Sequence, residues 1–97
     1  MCGIIGIINS KNEKKVQKAI RSIEHRGPDA TRVMTFGNTV LGHTRLSIQD
    51  LSETGSQPMI SSDGRFAIVF NGEIYNADEL LAEEVQIKDF LRGTSDT

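Results

Sequence analysis

The sequence has no tryptophan and one cysteine. Because a disulfide bond needs two cysteines, none can form within the chain. Basic and acidic residues nearly balance, at 11 and 13 of 97 residues, and no basic stripe with interleaved aromatics appears, which argues against nucleic-acid binding. The apolar run at residues 4–8 is too short to cross a bilayer and lacks the flanks of a secretory signal. These absences favour one cytoplasmic domain over residues 1–97, without membrane contact.

The single cysteine, Cys2, directly follows the initiator methionine. A small second residue permits removal of Met1, which would leave a thiol and a free α-amine on the same residue. The amine has a reference pKa of about 8, so about a tenth of such amines can accept a proton at pH 7. Nucleophile and base would then lie together. The alternative is the usual role of a lone cysteine, which is a small buried apolar residue.

The apolar pattern predicts an α+β fold dominated by hairpins, with a helix after the first strand. Residues 3–8 are apolar on both faces, which predicts a strand in the centre of a sheet. The next segment changes to helical spacing, with Ser10 or Asn12 as its cap and an end near His25, before the breaker Gly27-Pro28. The apolar face of this helix comprises Val16, Ala19, Ile20 and Ile23.

Turn sequences mark the boundaries of the elements predicted in the rest of the chain. Strands at residues 32–36 and 39–43 flank Gly37-Asn38, which predicts a hairpin with a two-residue loop. Asp63-Gly64 predicts a tight turn before a strand at residues 66–70. A short helix is expected from residue 77 to about 84, and residues 87–91 are a further strand candidate.

Four segments are richer in Gly, Asn, Arg and Asp than packing alone requires: residues 25–29, 42–52, 71–73 and 95–97. Each has a structural alternative. Asp29 could pair with Arg26 or cap a turn, Arg45 could be a surface strand residue, and Asn71-Gly72 could be a simple turn. The two histidines and the lone cysteine lack the spacing of metal ligands, so a metal site is not expected.

Together these segments resemble the class II glutamine amidotransferases, whose glutaminase domain is an amino-terminal-nucleophile hydrolase. The matching motifs run in order along the chain: Met1-Cys2-Gly3-Ile4, His25-Arg26-Gly27-Pro28-Asp29, Gly42-His43-Thr44-Arg45-Leu46-Ser47-Ile48, Gly55-Ser56-Gln57-Pro58-Met59, Phe70-Asn71-Gly72-Glu73-Ile74-Tyr75-Asn76 and Ser95-Asp96-Thr97. The His-Arg-Gly-Pro-Asp form and the Arg-Leu-Ser-Ile stretch resemble the glutamine-hydrolysing asparagine synthetase branch. The implied fold is the amino-terminal part of a four-layer αββα sandwich of antiparallel sheets with flanking helices.

The resemblance implies a role for each matching residue. Cys2 would attack the side-chain amide of glutamine, with Asn71 and the Gly72 N–H as oxyanion donors. Arg45 would bind the substrate carboxylate and Asp96 its ammonium group. Further substrate contacts are expected from Leu46, Ile48 and Glu73. The products would be glutamate and ammonia.

The chain ends at Thr97, whereas glutaminase domains of this family continue beyond the Ser-Asp-Thr motif. We therefore expect an incomplete sandwich without the synthetase domain, to which ATP and Mg²⁺ would belong, and no cofactor in this segment. Such a piece is expected to need the rest of the amidotransferase or to associate with itself. The alternative function is a truncated, inactive fragment or a stand-alone interaction module with a vestigial glutamine pocket.

Overall fold

The computed structural model of the chain describes residues 1–47 and 55–83. A three-stranded and a two-stranded sheet accompany two α-helices, and a 3-10 helix at Arg21–Arg26 extends the first of them. No helix within these ranges has the length and apolar character needed to cross a membrane. The strands and α-helices are, in chain order, β1 Gly3–Ile8, α1 Glu13–Ile20, β2 Ala30–Phe36, β3 Thr39–Arg45, β4 Met59–Ile60, β5 Ala67–Ile68 and α2 Ala77–Glu83.

The larger sheet is antiparallel with the strand order β1-β3-β2, so β3 is central and β1 lies at an edge of the described sheet. The prediction of a central first strand is therefore wrong for this sheet. The two apolar faces of β1 have a different explanation. Ile4 and Ile8 are 48% and 77% exposed on one face, whereas Ile5 and Ile7 are half-buried on the other. Apolarity on both faces thus accompanies one face turned toward α1 and one exposed face in the described residues, not strand neighbours on both sides.

Helix α1 covers one face of this sheet. Its cap is Asn12, whose Oδ1 accepts a hydrogen bond from the Lys15 N–H at 3.2 Å, and Val16 and Ile20 are buried beneath it. A Cβ placed on Gly42 of β3 would lie 2.9 Å from the Ile20 side chain and 3.2 Å from that of Val16. The helix therefore packs directly on the central strand because Gly42 leaves room for it. The helical region ends at Arg26, which confirms the predicted end near His25.

The predicted hairpin between β2 and β3 is confirmed. Phe36 pairs with Thr39 across the two-residue loop, and Gly37 takes a φ of +59°, a conformation that glycine adopts without steric cost. Beyond this loop Val40 is fully buried, and it completes the core with the two apolar residues of α1. The hairpin and the helix thus form one packed unit.

The second hairpin is smaller than predicted. A turn with Gly64 at a φ of +74° joins β4 to β5, but β5 comprises Ala67–Ile68 alone, not the whole of residues 66–70. One physical reason is that the Phe70 N–H donates to the side-chain Oε1 of Gln57, at 2.5 Å, and not to a neighbouring strand. Helix α2 is confirmed to residue 83, and the strand predicted at residues 87–91 lies outside the described residues.

The described architecture is α+β with antiparallel sheets, as predicted. Residues paired directly across antiparallel strands share a face, so the face opposite α1 carries five large apolar residues. These are Ile4, Ile8, Met34, Phe36 and Leu41. The complete four-layer sandwich stays a prediction.

Candidate active site

Cys2 is fixed just before β1 by the backbone that leaves β3. The Leu46 N–H donates to Cys2 Sγ at 3.3 Å, and Sγ lies 3.7 Å from the Leu46 carbonyl oxygen, which the thiol can donate to. The cysteine is half-buried, whereas Met1 is 72% exposed. The sulfur therefore has a defined place at one end of the sheet, and the residue before it is accessible for removal.

Arg26 makes a second link to the cysteine that sequence reasoning did not assign. Its Nε donates to the Cys2 carbonyl oxygen at 3.2 Å, across 24 positions of the chain. The next residue, Gly27, is buried against β3, where a Cβ would lie 2.4 Å from the Thr44 carbonyl and 2.5 Å from the Arg45 nitrogen. The absence of a side chain at Gly27 thus lets Arg26 reach the cysteine.

Asp29 caps the turn that leaves β3. Its N–H donates to the Arg45 carbonyl oxygen at 2.9 Å, and its Oδ2 accepts a hydrogen bond from the Ser47 N–H at 2.8 Å. Of the two structural alternatives for Asp29, the structure shows the turn cap. The segment at residues 25–29 therefore clamps the end of β3 from which Leu46 reaches Cys2.

Arg45 is buried, with 7% of its surface exposed, so its interpretation as a surface strand residue is wrong. Its Nη1 donates to Ser56 Oγ at 3.4 Å. Beside it lies a cleft of about 260 Å³ whose lining includes a second guanidinium group and, among the described residues, no carboxylate. Such a lining favours an anionic ligand. The lining residues are Ala30, Thr31, Arg32, His43, Arg45, Ser56 and Gln57.

His43 lines the same cleft and is 2% exposed. Burial lowers its pKa, and the positive charge of Arg45 lowers it further, whereas a hydrogen bond with the Phe70 backbone acts in the opposite direction. The imidazole is therefore neutral at pH 7, and its Nε2 has no hydrogen-bond partner within the described residues. Sequence reasoning did not assign His43 to this cleft. Its position two residues before Arg45, on the same face of β3, was the signal that could have indicated it.

Asn71, Gly72 and Glu73 are exposed in the segment between β5 and α2. A Cβ on Gly72 would lie 2.9 Å from Cζ of the Phe70 ring, so the ring rests against this glycine. Within residues 1–47 and 55–83 no side-chain hydrogen bond joins Asn71 to Cys2. The structure thus leaves the Asn71 amide group open to solvent.

A family model described as a glutamine amidotransferase domain matches residues 1–97, the whole of this chain. The chain belongs to this family of glutamine amidotransferase domains. Among curated relatives, asparagine synthetase B [glutamine-hydrolyzing] of Escherichia coli is 38% identical over 99 residues, which is 97% of this chain and 18% of the relative. Asparagine synthetase [glutamine-hydrolyzing] 1 of Bacillus subtilis is 38% identical over 105 residues, 100% of this chain and 16% of the relative.

A probable asparagine synthetase [glutamine-hydrolyzing] of Dictyostelium discoideum is 40% identical over 85 residues, which is 82% of this chain and 15% of the relative. The chain therefore spans less than a fifth of the length of these three relatives. The resemblance to glutamine amidotransferases, and to the asparagine synthetase branch in particular, is confirmed.

In this glutamine amidotransferase domain the predicted site residues divide into three groups. Cys2, Leu46 and Arg45 meet where β1 begins and β3 ends. The exposed oxyanion candidates and Glu73 lie on a separate segment, and their predicted roles stay predictions. Ile48 and Asp96 lie outside the described residues.

Proposed function

We propose that this domain hydrolyses glutamine to glutamate and ammonia through Cys2, as a class II glutamine amidotransferase of the amino-terminal-nucleophile type. The observation that carries the proposal is the placement of Cys2: its sulfur faces the Leu46 N–H while its carbonyl oxygen is held by Arg26. A nucleophile that is fixed at both its backbone and its side chain needs little reordering when substrate binds. Family membership supplies the reaction class.

The chemistry requires the loss of Met1, because only then is the α-amine on the same residue as the thiol. Sγ would attack the carboxamide carbon of glutamine while the amine, through a water, accepts the thiol proton. The C–N bond then breaks, the amine returns the proton to the leaving nitrogen, and ammonia departs. Water cleaves the resulting glutamyl thioester to give glutamate and restores the thiol.

The oxyanion of each tetrahedral intermediate would be bound by the Asn71 side-chain amide and the Gly72 N–H. Both residues are exposed and lie outside the described strands, so their donors are available to a substrate. Glycine also lets the substrate approach the backbone closely, because no Cβ intervenes.

The α-carboxylate of glutamine would bind Arg45 in the cleft of about 260 Å³ beside β3. A buried guanidinium forms a strong paired hydrogen bond with a carboxylate, and Arg32 in the same lining adds positive potential. Asp96 would bind the α-ammonium group, with Leu46, Ile48 and Glu73 as further contacts. Recognition of both charged groups on the α-carbon selects free glutamine over glutamine within a peptide.

The ammonia would pass to a synthetase domain that aminates an acceptor activated by ATP and Mg²⁺, as part of cytoplasmic asparagine biosynthesis. The names of the relatives support this wider role. The exposed Ile4 and Ile8 on the edge strand fit the expected association with the rest of an amidotransferase or with a second copy of the chain.

Mass spectrometry after treatment with an electrophilic glutamine analogue tests the proposal. We expect a single adduct on Cys2 of a chain that has lost Met1, protection by excess glutamine, and no adduct on a Cys2→Ala variant. Retention of Met1, or labelling that glutamine does not block, would contradict the proposal. In untreated samples Cys2→Ser should release ammonia from glutamine at a rate at least ~1,000-fold below that of the unmodified sequence.

A further inference from the structure

The backbone of Phe70 is held by a buried side chain that the proposed chemistry does not use. The Phe70 N–H donates to Gln57 Oε1 at 2.5 Å. Gln57 is 6% exposed. A polar group this deeply buried costs free energy unless it is paired, so this contact constrains the position of Phe70.

This contact holds a segment that lacks strand pairing. Strand β5 ends at Ile68, so no ladder within the described residues holds the backbone at Phe70. Phe70 is followed directly by Asn71 and Gly72, and its ring rests on Gly72. A shift of Phe70 must therefore move both oxyanion candidates.

Gln57 also lines the cleft that contains Arg45. On one side it faces the space assigned to the substrate, and on the other its Oε1 holds the backbone that leads to the oxyanion donors. Gln57 thus links the cleft to the Asn71–Gly72 segment.

We infer that Gln57 is a positioning residue that holds Asn71 and Gly72 at the distance from Cys2 that the oxyanion requires. This inference rests on the proposed function and adds to it a support of the oxyanion site. Gln57 does not touch the reacting atoms, so its loss should lower kcat more than it raises KM.

Gln57→Leu tests the role of the acceptor, because leucine has nearly the same volume and no oxygen. In the full chain we expect kcat for glutamine hydrolysis to fall about tenfold and KM to change less than twofold, since a misplaced donor costs less than a missing one. Gln57→Glu retains an acceptor and should restore kcat to within about threefold of the unmodified sequence. Gln17→Ala, on the exposed face of α1, is the matched control and should leave kcat and KM unchanged.

Hydrogen exchange without glutamine gives a readout that is independent of activity. The Phe70 amide should exchange at least ~10-fold faster in Gln57→Leu than in the unmodified sequence, because the bond to Oε1 is lost. Should Gln57→Leu not fold, Gln57→Asn withdraws the same oxygen by one methylene and should show the same kcat loss and faster exchange.

Unchanged exchange at Phe70, or a folded Gln57→Leu with kcat within twofold of the unmodified sequence, would overturn the inference while leaving the proposed function intact. An unmodified chain that releases no ammonia from glutamine would overturn the proposed function and the catalytic part of the inference with it. The two failures are distinguishable because the first is measured in variants and the second in the unmodified chain.

Discussion

The two halves of the proposed active site are held in different ways. Cys2 lies beside a three-stranded sheet, contacted by the backbone of Leu46 and the side chain of Arg26. Asn71 and Gly72 follow a two-residue strand, and their nearest support is Phe70, whose N–H is held by the Gln57 side chain. The nucleophile is therefore fixed by the fold, whereas the oxyanion segment is positioned by a side-chain contact. Damage to the first half should cost stability, and damage to the second should cost activity.

The largest effect is expected at Gly27, where the nucleophile half has no spare volume. Gly27→Ala would place Cβ 2.4 Å from the Thr44 carbonyl and 2.5 Å from the Arg45 nitrogen, and a backbone strand cannot yield as a side-chain tip can. We expect a loss of at least ~4 kcal/mol in the free energy of unfolding, measured by denaturant titration.

Gly6→Ala in β1 is the control for this change. Its Cβ would approach the Leu41 Cδ2 at 3.3 Å, a flexible side-chain end, so we expect a change within about 1 kcal/mol. Equal losses in the two variants would show that the clamp at residues 25–29 does not fix β3.

The second-largest effect is expected in kcat, without a matching loss in the free energy of unfolding. Asn71→Ala removes an oxyanion donor, which should lower kcat by about 100- to 1,000-fold. Because Asn71 is exposed, the free energy of unfolding should change by less than about 0.5 kcal/mol. Asn38→Ala, an exposed hairpin residue, should leave kcat unchanged. A threefold or smaller loss of kcat in Asn71→Ala would mean that the oxyanion is bound elsewhere.

The difference between local patterns and long-range contacts explains which parts of the structure the sequence predicts. Local patterns located β1, the Asn12 cap, the Gly37-Asn38 loop and helix α2, because spacing and turn chemistry are properties of neighbouring residues. They misplaced β1 within the described sheet, since apolarity on both faces does not distinguish an edge strand with exposed apolar residues from a central strand.

The supports of the site are long-range contacts, and for that reason the sequence did not reveal them. Arg26 meets Cys2 across 24 positions, and Gln57 meets Phe70 across 13. The length of β5 was overestimated because its apolar run continues to Phe70, whose N–H is taken by a side chain. Motif resemblance named the candidate site residues, but only the fold shows what holds them.

A smaller effect on stability is expected in the turns of the two hairpins, β2–β3 and β4–β5, which can be compared directly. Gly37 and Gly64 both have positive φ values, +59° and +74°, and in both the space for a Cβ is open. Alanine at either position should therefore cost about 1 kcal/mol of local conformational energy. In Gly37→Ala the cost should appear in global unfolding, because the hairpin carries the buried Val40.

In Gly64→Ala the cost should appear instead as local opening. The hairpin there joins strands of two residues, and its Ser61 N–H donates to the Phe66 carbonyl oxygen at 2.9 Å. We expect faster amide exchange at Ser61 and a smaller shift in the global transition than in Gly37→Ala. Identical global shifts would show that both hairpins unfold as one unit.

The smallest effect is a pH dependence at the junction of the two halves. Burial and the charge of Arg45 lower the pKa of His43 from its usual 6.5, so the unfolded chain binds a proton before the native chain does as pH falls. The stabilising effect of the neutral imidazole is complete above a pH of about 6.5 and is lost as the pH falls from there toward the lowered native pKa. Arg32 lines the same cleft and pairs with His43 across β2 and β3.

Denaturant unfolding between about pH 6.5 and pH 5 measures the slope of the free energy of unfolding against pH. This pH range lies above the reference pKa values of the carboxylates. His43→Gln should flatten the slope, whereas His25→Gln, at an exposed position, should leave it unchanged. An unaltered slope in His43→Gln would mean that another group carries the proton.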